Sequence, residues 1–241
     1  QNGAAFVCFE EGDFAWNEAH LIPHLAVANL RDLAAPLAHL ILGNPSEKIC
    51  VTAITGTNGK TSIAEWLQAL LPDCEAIGTL GARYKNAILE TGLTTPGAVL
   101  LARSFADFAQ KGAKNCALEA SSIGIEEGRL DATHIDTAIF TNLTRDHLDY
   151  HQSMEAYGLA KQKLFGWENL RLAIVNLDDA FAETLIKTTS ATKIIGYSQT
   201  RQTRQTHQEA KTKVLTNEIH ANNIVETIDG LRFILKTSQG Q

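Results

Sequence analysis

Residues 54–62 read Ile-Thr-Gly-Thr-Asn-Gly-Lys-Thr-Ser and join an apolar, β-prone run to a helix-forming one. A glycine-bearing turn between a strand and a helix lets backbone N–H groups converge on an anion, and the helix N-terminus adds its partial positive charge there. Lys60 then supplies a point charge for the β/γ-phosphates of a nucleotide, and the Thr61 hydroxyl stands where it can ligate Mg²⁺. The usual phosphate loop has a glycine five residues before Gly59, but this chain has Ile54. The loop is a shortened variant.

Three more segments carry polar groups at the ends of apolar runs. In Cys116-Ala117-Leu118-Glu119-Ala120-Ser121-Ser122 an acidic residue closes an apolar strand. That suits either a carboxylate holding Mg²⁺ beside phosphates or a solvated strand end. Residues 140–151 hold Asn142, Arg145, Asp146, His147, Asp149 and His151 directly after another apolar run, a density that favours a site. Residues 157–165 read on their own as an amphipathic helix with surface lysines.

The elements that must position these groups alternate from residue 47 onward. Strands are predicted over 49–55, 76–80, 115–119, 137–141, 172–176 and 193–197, and helices over 62–71, 98–111, 154–165 and 179–187. Continuous rather than alternating hydrophobicity in the strands implies burial on both faces. The expected fold is α/β, a mostly parallel sheet flanked by helices with a P-loop-type nucleotide site at the carboxyl ends of its strands. Residues 1–47 contain apolar runs at 4–9 and 21–28 and a helical stretch ending near Leu42, too little to bury a core alone. Gly43-Asn44-Pro45-Ser46 marks the break. Residues 199–213 read as a polar loop, and 214–222 with 223–237 as a small β meander turning at Asp229-Gly230.

Composition is that of a globular protein, 44% hydrophobic and 20% charged over 241 residues. The net charge of −6 argues against nucleic acid or an anionic membrane as partner. No apolar run reaches spanning length. Cys8, Cys50, Cys74 and Cys116 are scattered without a CxxC pair and read as buried thiols in a reducing cytoplasm.

Together these segments resemble the ATP-dependent Mur ligase family, and within it the branch that extends UDP-N-acetylmuramoyl-L-alanyl-D-glutamate. The family's short Gly-Thr-Asn-Gly-Lys-Thr loop is matched by residues 56–61, and its other blocks by Thr94-Thr95-Pro96 and residues 119–122, 141–151 and 157–161. The resemblance implies that Gly56, Thr57, Asn58, Gly59, Lys60, Thr61 and Ser62 hold the phosphates of ATP, with Asn142, Asn176 and Asp179 near the nucleotide. It implies two Mg²⁺ ions, with Thr61 and Glu119 similar to ligands of the first and His147 to a ligand of the second. Lys161 aligns with a lysine carried as a CO₂-derived N-carbamate, an anion that can also ligate a cation. Lys60, Glu119, His147 and Lys161 form the implied catalytic set. Thr94, Thr95, Ser121, Glu127 and Arg129 match positions that contact the muramoyl-dipeptide. The chain departs from the pattern at Leu93, where Asn often stands, at Ile123, where His is common, and at Glu127, where Gln is frequent.

The implied reaction joins a free amino acid, meso-diaminopimelate or L-lysine, to the nucleotide-sugar peptide through an acyl phosphate. Residues 1–46 are expected to be the tail of an N-terminal uridine-nucleotide-binding domain with its linker, and 47–241 the central ATP-binding domain. The family's C-terminal domain is the expected partner in cis, and without it these residues are expected to be inactive. A cytoplasmic monomer is expected. The rivals are a folylpolyglutamate synthase-like ligase, which lacks the Thr-Thr-Pro block, and a nucleotide-binding module without catalysis.

Overall fold

The computed structural model describes residues 3–12, 15–17, 19, 21–85, 87–199, 217–227 and 230–237. Strands β1 (Val7–Glu10) and β2 (His24–Val27) form a small parallel pair, followed by α1 (Leu30–Ile41) and a 3₁₀ turn, Pro45–Lys48. Then come β3 (Cys50–Thr55), α2 (Lys60–Leu70), β4 (Cys74–Gly78), β5 (Gly81–Tyr84), β6 (Ala87–Leu89), α3 (Ala98–Gln110), β7 (Asn115–Glu119) and α4 (Ser122–Glu126). The rest are β8 (Thr137–Phe140), α5 (Leu148–His151), α6 (Met154–Phe165), β9 (Leu172–Asn176), α7 (Ala182–Thr188), β10 (Lys193–Ser198), β11 (Asn217–Thr227) and β12 (Gly230–Lys236).

All strands from β3 onward join one sheet in the order β12-β11-β10-β9-β8-β3-β7-β4-β5-β6. The run from β11 to β4 is parallel, and each end finishes in antiparallel strands. Val51, Ala53 and Ile54 of β3 are wholly buried, as two-sided coverage requires. One face packs on α3, α4, α6 and α7 through Leu101, Phe105, Ile125, Leu164, Phe165 and Leu185. The other face receives α2, where Ala64 meets Ile54, Ala76, Ala117 and Ile139. The helix after β3 therefore lies on the opposite face from those after β7 and β8. That divergence opens a crevice at the carboxyl end of β3. Register fills the crevice with chemistry, since Ile54 pairs with Glu119 on one side and Ile139 on the other.

The predicted strands 115–119 and 172–176 and the helix 154–165 are found with those bounds, and the other predicted elements fall within a few residues. The hairpin β5–β6 was not foreseen. Its strands are three to four residues long, too short for a periodic signal, and Leu80 lies outside β4 because the chain turns at Thr79. The predicted break at 222/223 is not there. β11 runs through it with a bulge between Asn222 and Val225, and pairs parallel with β10, so the meander is an edge of the main sheet. Residues 200–213 of the expected loop, 214–216 of the expected strand and Asp229 of the expected turn lie outside the described residues. The thiol expectation needs correcting too: Cys74 and Cys116 are buried and Cys50 half-buried, but Cys8 is exposed. Before β3, α1 lies against α3, and the Glu10 carboxylate caps its first turn, accepting from Asn29 N and Leu30 N at 2.8 and 2.7 Å.

Candidate active site

The loop between β3 and α2 owes its course to two glycines. Gly56 has φ +144°, and a β carbon there would fall 1.8 Å from Thr141 Oγ1. Gly59 has φ +87° and precedes α2, whose first turn has no side-chain cap. Its free N–H groups face the crevice, which is the geometry of an anion site. The segment after β8 braces the loop from below. Thr57 N donates to Asn142 O (2.9 Å), Asn58 N to Asn142 Oδ1 (3.0 Å) and Thr141 Oγ1 to Asn58 O (2.6 Å). Asn176 Nδ2 in turn donates to Thr141 O, and the Asp179 carboxylate accepts from Leu143 N. Asn142, Asn176 and Asp179 thus hold the backbone that holds the loop.

Lys60 Nζ donates to Gly56 O and Thr57 O, each at 2.8 Å, so the ammonium folds onto its own loop. Burial lowers its pKa, opposed by the carboxylates of Glu119 and Asp146. Glu119 is 2% exposed and accepts from three donors: Thr61 Oγ1 on Oε2 (2.9 Å), Thr79 N on Oε1 (3.0 Å) and Thr79 Oγ1 on Oε2 (3.3 Å). The solvated strand-end reading of Glu119 is thereby excluded.

Lys161 is 1% exposed, and its ammonium has no hydrogen-bond acceptor among the described residues. It rests over the Tyr157 ring, 4.1 Å from the centroid. Burial brings its pKa down to about 7, and the neighbouring charge of Lys60 pushes the same way. The surface-lysine reading of α6 fails at this position. Lys163, which pairs with Glu126 at 2.9 Å, fits it. His147, in the left-handed region at φ 51°, lies edge-on to Tyr157 with its Nε2 3.6 Å from Asp146 Oδ2.

These groups line one cleft of about 340 Å³: residues 57–62 on one wall, Thr79, Thr94, Glu119, Ser121 and Ser122 on another, and His147, Tyr157 and Lys161 closing it. Thr95, Glu127 and Arg129 stand just behind. Arg129 donates from Nη1 to Thr95 O (2.8 Å), while its Nε (2.9 Å) and Nη2 both go to Glu127 Oε2. Thr79, Ser122 and Tyr157 were given no role from the sequence. Thr79 was absorbed into a predicted strand, although a polar residue following Gly78 at the carboxyl end of an apolar run was a usable signal. Ser122 bonds the buried His151 (Oγ to Nε2, 2.9 Å), a pairing across 29 positions that sequence spacing does not reveal.

Oxygen donors on Thr61 and Glu119, with His147 in the same cleft, suit a hard cation that also takes phosphate oxygens. Among the described residues no group of three or more His, Cys, Asp or Glu could hold a metal ion by itself.

The profile of the Mur ligase middle domain matches residues 54–239. The chain belongs to the Mur ligase family. This Mur ligase chain is 47% identical over 190 residues to the UDP-N-acetylmuramoyl-L-alanyl-D-glutamate–2,6-diaminopimelate ligase of Chromobacterium violaceum, covering 77% of this chain and 38% of that protein. It is 42% identical over 212 residues to the ligase of the same name from Nitrosomonas europaea, covering 85% and 41%. The chain therefore spans about two fifths of the length of these curated relatives. A solved structure of a ligase of that name superposes with TM-score 0.72 at 30% identity, over 93% of this chain and 45% of the other. A folylpolyglutamate synthase from Mycobacterium tuberculosis reaches 0.63 at 15% identity over 85% and 51%, which is a likeness of fold alone. Mur ligases form amide bonds, and in this member the loop of residues 57–62, Thr94 of the Thr-Thr-Pro block and the α6 lysine Lys161 meet in one cleft. Among the described residues no helix is long and apolar enough to cross a membrane.

Proposed function

We propose that this chain is the nucleotide-binding core of a cytoplasmic ligase that adds 2,6-diaminopimelate to UDP-N-acetylmuramoyl-L-alanyl-D-glutamate at the expense of ATP. The observation that carries the reading is the meeting of Lys60, Thr61, Glu119, His147 and Lys161 with Thr94 in one cleft. The names of relatives at 42–47% identity support the choice of substrates.

In this reading the D-glutamate carboxylate attacks the γ-phosphorus of ATP, giving an acyl phosphate and ADP. The amine then attacks the acyl carbon, phosphate leaves with the C–O pair, and the nitrogen loses a proton as the amide forms. Both partners of the first step are anions, so the chain must offset their repulsion and hold them in line. Lys60 leaves its loop carbonyls for the phosphates, and the N–H groups opening α2 share the charge. Thr94, Ser121 and, from behind, Thr95 and Arg129 fix the acceptor. Thr61, Glu119 and His147 would hold Mg²⁺, which supplies further charge neutralisation between carboxylate and phosphate. The low pKa of Lys161 leaves much of its amine neutral near pH 7. That lone pair can attack CO₂, forming an N–C bond, shifting a C=O pair onto oxygen and releasing a proton. The product is a carbamate anion in place of a cation.

The test is phosphate release by this chain joined to the N- and C-terminal portions of its Chromobacterium violaceum relative. ATP, Mg²⁺ and UDP-N-acetylmuramoyl-L-Ala-D-Glu are supplied with 2,6-diaminopimelate, L-lysine or no amine. Release that requires both the nucleotide-sugar and 2,6-diaminopimelate is expected. Release with folate and glutamate instead would overturn the reading.

A further inference from the structure

We propose that Thr79 is a positioning residue that couples the nucleotide end of the cleft to its acceptor end, an inference that rests on the ligase reading above. Thr79 touches both ends. Its backbone N–H donates to Glu119 Oε1 (3.0 Å) and its hydroxyl to Glu119 Oε2 (3.3 Å), the oxygen that also accepts from Thr61 (2.9 Å). The same hydroxyl lies 3.1 Å from Thr94 Oγ1.

A hydroxyl has one proton. While Thr79 donates to Glu119, the contact with Thr94 must run the other way, with Thr94 donating to Thr79. Thr94 then offers an incoming ligand only lone pairs, a poor match for an anionic acceptor. When Glu119 Oε2 is engaged by a nucleotide-bound cation, its electron pairs are shared and the Thr79 proton can turn to Thr94. The Thr94 proton is released in turn toward the acceptor. Occupation of the nucleotide end thereby makes Thr94 a donor at the acceptor end, and by reciprocity of linkage the acceptor favours the nucleotide equally. The lower tier continues the same line: Thr95 Oγ1 donates to Glu119 O (2.8 Å) and takes the Ser121 amide N–H (3.0 Å), and Thr95 O holds Arg129.

Calorimetry on the chain joined to the N- and C-terminal portions of its Chromobacterium violaceum relative tests this, with Mg²⁺·ADP and UDP-N-acetylmuramoyl-L-Ala-D-Glu each titrated alone and in the presence of the other. Thr79→Val keeps the shape and the backbone bond to Glu119 but removes the proton relay; Thr79→Ser keeps the relay. In the wild type each ligand is expected to tighten the other about fivefold or more, the scale of one hydrogen bond gained. Thr79→Val is expected to bring that factor close to one, Thr79→Ser to keep it, and the ligand-free unfolding midpoints to agree. Thr79→Ala gives the same reading should the valine variant not fold. A wild-type factor retained in Thr79→Val, or wild type that binds both ligands independently, overturns the coupling alone. Wild type that binds neither ligand overturns the ligase reading and this inference with it.

Discussion

The Lys161 ammonium rests on the Tyr157 ring at 4.1 Å inside the cleft, and that contact, with the charge of Asp146, opposes the cost of its burial. Desolvating the charged form of this amine costs stability, and its pKa falls to about 7 as a result.

Replacing Lys161 with Met removes that cost while filling the same volume. Lys161→Met is expected to raise stability by about 1–3 kcal/mol in chemical denaturation and to abolish phosphate release. In Lys161→Ala, an excess of a small carboxylate is expected to restore part of the activity by standing in for the carbamate. Full activity in either variant without such an addition removes the role assigned to Lys161.

Gly78 stands beside Glu119 because Ile77 pairs with Leu118. A β carbon at residue 78 would lie 2.0 Å from Glu119 Oε1 and 2.5 Å from its carboxyl carbon. Gly78→Ala is expected to displace the carboxylate from Thr61 and weaken Mg²⁺·ADP binding at least tenfold, at a stability cost of about 1–3 kcal/mol. Unchanged binding in a folded Gly78→Ala protein would show that Glu119 has no part in holding the nucleotide.

Arg129 stands behind Thr94 on the Thr95 carbonyl, and Glu127 pairs with it through one carboxylate oxygen. Glu127→Gln keeps an acceptor there but removes the charge. The freed guanidinium charge is expected to tighten binding of the anionic nucleotide-sugar peptide about two- to fivefold, in line with a partly exposed pair. The gain should shrink as salt rises. Weaker binding in Glu127→Gln would mean that the carboxylate orients Arg129 rather than masking it.

The parallel strands were legible because two-sided burial writes continuous apolar runs, as in Thr137–Phe140, and the loop was legible because glycines at 56 and 59 are required by backbone geometry. Lys161 was not legible from pattern: spacing makes it one of several lysines on a helix, and only the resemblance singled it out. Its burial comes from Tyr157 and the cleft walls, contacts made across the fold. The second tier was obscured for the same reason. Asn176 and Asp179 carry the signature of nucleotide contacts, yet their side chains bond the backbone at Thr141 and Leu143, a support role that depends on strands β8 and β9 being neighbours.

Far from the cleft, His39 of α1 is buried against Phe105 and bonded to Ser46, and burial lowers its pKa while Glu47 partly opposes the shift. Above its unfolded value of 6.5 the imidazole is neutral in both states and has no effect on the pH dependence. As pH falls below that value the unfolded chain takes up the proton first, so stability declines until the folded value is reached. The wild type is therefore expected to lose stability more steeply than His39→Gln as pH falls below 6.5, read as the difference between their denaturation midpoints at each pH. Parallel curves for the two proteins would mean that His39 titrates in the folded protein as it does in the unfolded chain, and that the contact between α1 and α3 is indifferent to its charge.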